Sequence, residues 1–385
     1  MFGRAFRYLS ACVALAAGEA CAALVPSGAE AWMALVLAAS WVALLGYGFA
    51  VRGWPLICVF LVGAALYFRA SVDEERGFRE RPWLRNAACV RQSAPPSRLR
   101  RDLSERVGLG LGQRRETANL NRALLLGERR AIPKAARQVF VDSGTVHVFA
   151  ISGLHVMVVA KVLMVLAAMA CLPLRYQGVA ALVPIWGYVG LIGFPPSAIR
   201  AALMASFCFL APVFGRRADG LVAWALAFLV LHVLRPRLIV DTGSQLSHVV
   251  MLAILVAGRI SRGKLFVTFA AWAAGLPICA LVFGRITPGG LVANLVLLPM
   301  AVVSVSAGAV GALSGYVWKP LAIHLNNLSA LMTEAMVGVS AAVARLPGAN
   351  VEIADWGPVD CLGWYVALAL FLYLVHRVRL RRDLV

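Results

Sequence analysis

Ser152-Gly153-Leu154-His155 sets a hydroxyl and an imidazole three residues apart, which puts them on one face of a helix of 3.6 residues per turn. The pair has two readings. A nucleophile and its general base would support acyl transfer inside a membrane, with no third group nearby to orient the base. Alternatively, the small residues Ser152 and Gly153 let another backbone approach closely, and His155 sits hydrogen-bonded in a packed or pore-lining position. Arg200 lies five residues after Pro195, at the head of an apolar run containing Ala201, Ala202 and Ala205. A guanidinium at membrane depth is costly unless it meets water or a partner, so Arg200 is either an interfacial anchor or a functional charge. Asp241, Gln245, Ser247 and His248 form a further polar cluster between two apolar runs. Lys161 and Glu334 each fall inside one and need partners.

Other chemistries lack their residues. Gly258 to Lys264 imitates the start of a phosphate-binding loop, but Leu265 stands where a Ser or Thr would hold magnesium and no strand precedes it, so a short basic connection between helices is expected. No H-x-H-x-D-H pattern occurs among the six histidines, so no metal site is expected and no cofactor is implied. Cys12, Cys21, Cys58, Cys171, Cys208, Cys279 and Cys361 lie in or beside apolar runs, and Cys89 in a polar one. They read as small hydrophobes without a disulfide framework.

The elements that must position these groups follow from composition. The 385 residues are 61% hydrophobic and 14% charged, with a mean hydropathy of +0.80, whereas a soluble domain is about a quarter charged. The fold expected is all-α, a polytopic integral membrane protein. Runs long enough to cross the hydrocarbon core lie near 9–25, 31–50, 146–172, 178–194, 198–214, 219–234, 265–284, 290–317, 328–346 and 361–376. Shorter runs at 54–68 and 246–258, which could be re-entrant, bring the expectation to 10–12 transmembrane helices. Glu19 interrupts the first run and no small-residue cleavage site follows it, so it is expected to be a retained helix. Arg4 and Arg7 before the first run, and Arg52 after the second, favour a cytoplasmic N-terminus.

Residues 69–137 carry 17 basic and 8 acidic side chains, a net +9 out of the chain's +19. The positive-inside rule accounts for basic loops in general, while a polyanion or anionic lipid headgroups would both be drawn to this stretch. Ser97 as a cap, Leu99, Leu103 and Val107 at four-residue spacing and Gly108 as a stop predict a helix over 97–107. A second is expected over 117–126, with Leu120, Ala123 and Leu124 on one face, and a third begins at Pro133. Arg122, Arg129, Arg130, Lys134 and Arg137 flank these apolar faces, a pattern that suits amphipathic helices lying in the membrane interface and contacting DNA or lipid headgroups.

Four stretches together resemble the ComEC-type competence family, the DNA-internalisation channels. They are residues 123–160, Pro195-Pro196-Ser197-Ala198-Ile199-Arg200 through Ser206, Gln245-Leu246-Ser247, and Leu276-Pro277 through Ala293-Asn294 to Pro299. The likeness covers roughly residues 97–349. It implies passage of single-stranded DNA across a bacterial inner membrane through a multi-pass channel. The path would involve Ser152, Gly153, His155, Arg200, Asp241, Gln245 and Ser247. Where the family usually carries Phe, this chain has Ser244 and His248.

The resemblance also implies membrane lipids, an external DNA receptor and a cytosolic ATPase or single-strand binding protein as partners, with nuclease chemistry left to a separate protein and the oligomeric state open. The family usually places an OB-type barrel in the polar stretch. Residues 69–96 are too few for five strands, so the barrel is expected to be missing or vestigial. Longer members continue into a metallo-β-lactamase-like domain, whereas this sequence stops at Val385 after Arg377, Arg379, Arg381 and Arg382. The expected organisation is N-terminal membrane helices over 1–68, a basic stretch with amphipathic helices over 69–138 and a helical channel region over 139–385. The expected function is that of a channel, not an enzyme. A transporter or flippase for a smaller anionic solute or lipid is the alternative.

Overall fold

The computed structural model describes residues 98–382, apart from 129, 131, 150, 240, 262, 354 and 355. The expected membrane helices of 1–68 and the barrel-free reading of 69–96 lie outside the described residues. Within them the protein is helical, with one two-residue antiparallel strand pair, Arg285–Ile286 against Val351–Glu352. The described residues form two compact units, one holding 214–245 and the other holding 98–213 with 246–382.

The larger unit is built on a hairpin of two 26-residue helices, α10 (Gly289–Ser314) and α11 (Lys319–Ala344). At 1.5 Å per residue each is about 39 Å long, enough to cross a hydrocarbon core of about 30 Å. Their seam is made of small and polar side chains. A Cβ on Gly308 would collide with Leu125 and stand 3.2 Å from Ser329 Oγ, and one on Gly311 would stand 2.7 Å from Asn326 Oδ1. The fully buried Ser304 Oγ lies 3.0 Å from both Ser329 Oγ and Thr333 Oγ1, and Thr333 donates to Asn121 Oδ1 at 2.7 Å. Close packing and internal hydrogen bonds are the two means of associating helices where lipid gives no hydrophobic drive. The hydropathy run at 328–346 starts nine residues after Lys319, because His324, Asn326 and Asn327 lower the local average although they belong to the same helix.

Three short helices, α1 (Arg98–Val107), α2 (Arg115–Leu126) and α3 (Lys134–Asp142), lie along this hairpin. Their apolar stripes are turned into the protein. Val107, Leu120, Leu124, Leu125 and Phe140 share one buried core with Leu297, Val305, Met336 and Val343. Gly308 of α10 leaves the room that Leu125 of α2 fills, and neighbours fill the helix ends. Asn326 Nδ2 donates to the carbonyls of Arg106 and Leu109, Arg122 Nε to that of Ser104, Tyr188 Oη to that of Leu125 and Arg100 Nη2 to that of Leu126. Those of Ser104, Arg106, Leu125 and Leu126 belong to the last turns of α1 and α2, where a helix leaves carbonyls short of i+4 partners. At the hairpin turn, Arg106 stacks 3.5 Å over the Tyr316 ring and donates to the Gly315 carbonyl at 2.6 Å. Hydrogen bonds from Arg106, and then from Tyr316, hold the Asp102 carboxyl below its ordinary range.

Against α10 pack α4 (Gly153–Met169), which carries α5 (Leu174–Leu191) and α6 (Pro196–Leu210), and α9 (Lys264–Phe283), which carries α12 (Pro358–Arg382); α8 (Thr242–Ile260) precedes α9 in the chain. The single helix expected from the 146–172 run is divided: Val146–Phe149 is a 3₁₀ turn, and α4 begins only where Ser152 caps it. Five of the described helices, α8 to α12, are long and apolar enough to cross a membrane, and α4, α6 and α7 (Gly220–Leu234) are shorter apolar helices.

Pro277 in α9 has no N–H to give the Ala273 carbonyl, which an unbroken helix would pair with it. Trp364 Nε1 of α12 donates to that carbonyl at 2.8 Å, and Tyr365 Oη to the next one, Ala274, at 3.0 Å. Trp364→Phe keeps the ring but leaves a buried carbonyl unpaired, a cost of about 1–3 kcal/mol. Thermal unfolding in detergent should show a Tm several degrees lower, and an unchanged Tm would remove this bond from the α9–α12 contact.

Candidate functional site

The site begins at the start of α4. Ser152 is extended, with φ −114° and ψ 176°, and its Oγ accepts from the Leu154 N–H at 3.2 Å. The Ser152 N–H donates to His155 Nδ1 at 3.2 Å, completing a reciprocal cap in which His155 takes the place usually held by Glu or Gln. Ser152 Oγ does stand 3.3 Å from Nδ1. That nitrogen, however, already receives a backbone proton, so the spacing that suggested a nucleophile and base serves to start a helix at buried positions. His155 is 1% exposed.

Arg200 comes to this helix start from α6, whose residues Ala198, Ala201, Ala202 and Ala205 are buried and small enough for close packing. Ser197 Oγ donates to the Ile151 carbonyl at 2.7 Å and pins α6 to the approach of α4. Gly153 leaves room for the guanidinium: a Cβ there would sit 3.1 Å from Arg200 Nη2. Arg200 Nη1 donates to the Ser247 carbonyl of α8. The side chain is 3% exposed, its Nε has no hydrogen-bond partner, and no carboxylate pairs with it among the described residues.

Ser152, Gly153, His155, Arg200 and Ser247 are therefore brought together, Ser247 through its backbone instead of its hydroxyl. Asp241 and Gln245 belong to the smaller unit. There Asp241 Oδ2 accepts from the Ser244 N–H at 2.7 Å, a cap for α8, and Gln245 Nε2 donates to the Ile239 carbonyl at 2.8 Å. His248 is buried. Among the basic residues expected to meet DNA or headgroups, Arg122 is engaged inside the protein by Ser104 and Asn119, while Arg130, Lys134 and Arg137 are exposed and Arg129 lies outside the described residues. Lys161 is exposed on α4. Glu334 has partners, Thr117 Oγ1 at 2.8 Å and Arg114 at 3.7 Å. The imitation phosphate loop is the connection between α8 and α9, with no strand before it.

Residues 124–378 match the family described as Competence protein. The chain belongs to this family. It is similar to "ComE operon protein 3" of Bacillus subtilis (strain 168), 26% identical over 202 residues that cover 51% of this chain and 26% of that protein. It is also similar to "Uncharacterized protein YcaI" of Escherichia coli (strain K12), 21% identical over 280 residues covering 67% of this chain and 36% of that protein. The chain thus spans well under half the length of these relatives. No solved structure matches. Each element that meets at Arg200, namely α4, α6 and the first half of α8, lies inside the segment shared with the competence family.

Reasoning from sequence missed the polar stripe of α11. Asn326, Ser329, Thr333 and Ser340 are all fully buried and spaced by three, four and seven residues, a helical period that would have marked one face.

The cap reading predicts that His155→Gln, which restores the usual capping-box acceptor, keeps the Ser152 amide protected from hydrogen exchange. His155→Leu should lose that protection and about 1 kcal/mol of stability. Equal protection in both variants, measured residue by residue in detergent, would contradict it.

Proposed function

We propose that this membrane protein takes part in DNA uptake during competence, as the helical channel through which a single strand crosses the bacterial inner membrane. The observation that carries the reading is Arg200: a buried guanidinium, without a carboxylate partner among the described residues, at the meeting point of three helices. A charge at that depth is tolerated when it faces water or an opposite charge. A nucleic-acid strand brings a row of negative charges, and phosphate contacts from Arg supply affinity without reading sequence. The planar fork has donors to spare beyond the Ser247 carbonyl, which suits it to a passing phosphate. Membership of the competence family and similarity to a protein named for the ComE operon support the same direction.

In this reading residues 139–385 form the channel region and the basic stretch before them is its flank, with membrane helices preceding it. The protein supplies the route, not the drive or the hydrolysis. An external receptor delivers DNA, a cytosolic ATPase or single-strand binding protein draws it in, and strand degradation belongs to a separate nuclease.

The test is transformation of a strain deleted for the chromosomal copy and complemented with this chain. Arg200→Ala should abolish uptake at normal membrane levels, and Arg200→Lys should restore only part, because a point charge lacks the multi-donor plane. Full uptake by Arg200→Ala would leave an anchoring role. Wild-type chain that moves a small anion or lipid but never restores transformation would favour a transporter instead.

A further inference from the structure

The polar segment 98–145 does not stop at one end of the α10–α11 hairpin; it runs the hairpin's length. At the turn, Arg106 binds the Gly315 carbonyl and Asn326 binds the Arg106 carbonyl. Half-way along, Asn121 accepts from Thr333 and Leu125 packs where Gly308 has no side chain. At the far end Thr145 Oγ1 lies 3.1 Å from Ser340 Oγ, and Gly290 lies against the Gly144 carbonyl. None of the three helices in this segment can cross a membrane alone. The longest has 12 residues, or about 18 Å. They are joined by irregular backbone at Gly108–Arg114 and again before Lys134.

Such a segment beside a membrane-spanning hairpin is tolerated only where it is buried in protein or lines water. Its apolar side meets the first condition. Its other side bears charge: Arg114 lies 3.7 Å from Glu334, with side-chain exposures of 57% and 41%, and Arg115 and Glu116 beside it are exposed. The depth of this pair follows from the helix. Glu334 is 15 residues from Lys319 and 10 from Ala344, and its neighbour Thr333 is hydrogen-bonded to Ser304, 15 residues into α10. A half-exposed ion pair midway along a helix of membrane-spanning length cannot be solvated by acyl chains.

We propose that the face formed by Arg114 and Arg115 of the α1–α2 connection and α2, together with Glu334 of α11, lines a water-filled passage running along the hairpin. This deepens the DNA-uptake reading by naming where a hydrated polyanion would travel. It rests on that reading only for what travels, not for the water. The charge on this face is mixed: Glu334 is held by Arg114 and Thr117, while Arg115 and Glu116 are exposed.

The test introduces Arg114→Cys or Glu334→Cys into the full chain in membrane vesicles and follows modification by a membrane-impermeant methanethiosulfonate, with the labelled peptide identified by mass spectrometry. Leu370→Cys, exposed on the apolar helix α12, is the lipid-facing reference. Because the reactive thiolate forms in water and not in hydrocarbon, labelling at 114 and 334 should be at least about ten-fold faster than at 370. Rates at 114 and 334 no faster than at 370 would overturn the passage. Should either substitution disturb folding, the unaltered chain gives the same answer through hydrogen exchange. Gly112 and Gln113, in the connection between α1 and α2, should exchange within minutes in lipid, and protection lasting hours would sink the proposal. Arg200→Ala tested in the same vesicles separates the two ideas: lost uptake with unchanged labelling supports both, whereas retained uptake removes Arg200 and leaves the labelling result to judge the passage.

Discussion

Hydrocarbon offers no hydrogen-bond partner, and each polar group that this chain carries to membrane depth has to be answered inside the protein. The pairing of Trp364 with the carbonyl released by Pro277 is the plainest case. It converts a helix defect into the bond that orients α12 on α9. The same constraint shapes the hairpin of α10 and α11, where Ser304, Ser329, Thr333 and Asn121 satisfy one another in a buried network. It also shapes the start of α4, whose first amides are answered by Ser152 and His155.

Small residues make these answers geometrically available. Gly308 and Gly311 bring α11 and Leu125 of α2 close enough for the serine and threonine contacts to form, and Gly153 opens the place that Arg200 fills. Arg200 has donors to spare: Nη1 reaches the Ser247 carbonyl, while Nε has no hydrogen-bond partner among the described residues. A satisfied network holds helices together, whereas a guanidinium with donors left over is suited to receive something. That contrast links the packing of the hairpin to the function proposed for the family segment.

The sequence made the all-α membrane class legible through composition and run length, and it pointed to Arg200 and the Ser152–His155 turn through charge and spacing. It left open what two features do. Spacing of three residues on a helix brings Ser152 and His155 together for catalysis and for capping alike, and only the direction of the Ser152 N–H decides between them. Amphipathic periodicity in α2 and α3 says that one face is buried but not whether lipid or protein buries it. For α2 the room that Gly308 leaves for Leu125, nearly two hundred residues further along the chain, turns that face to protein. Ser247 was legible as a position but not as a carbonyl acceptor, since its hydroxyl drew attention away from its backbone. The polar stripe of α11 stayed hidden because averaging over a window penalises the very residues that bind the hairpin.

The most direct measurement of the central claim is a structure of the chain in a lipid nanodisc with a single-stranded oligonucleotide arrested during passage. A backbone phosphate should lie within hydrogen-bond reach of the Arg200 guanidinium, about 3 Å, with water around the strand. Acyl chains packed about the entrance to Arg200, with the strand held elsewhere or not at all, would contradict it.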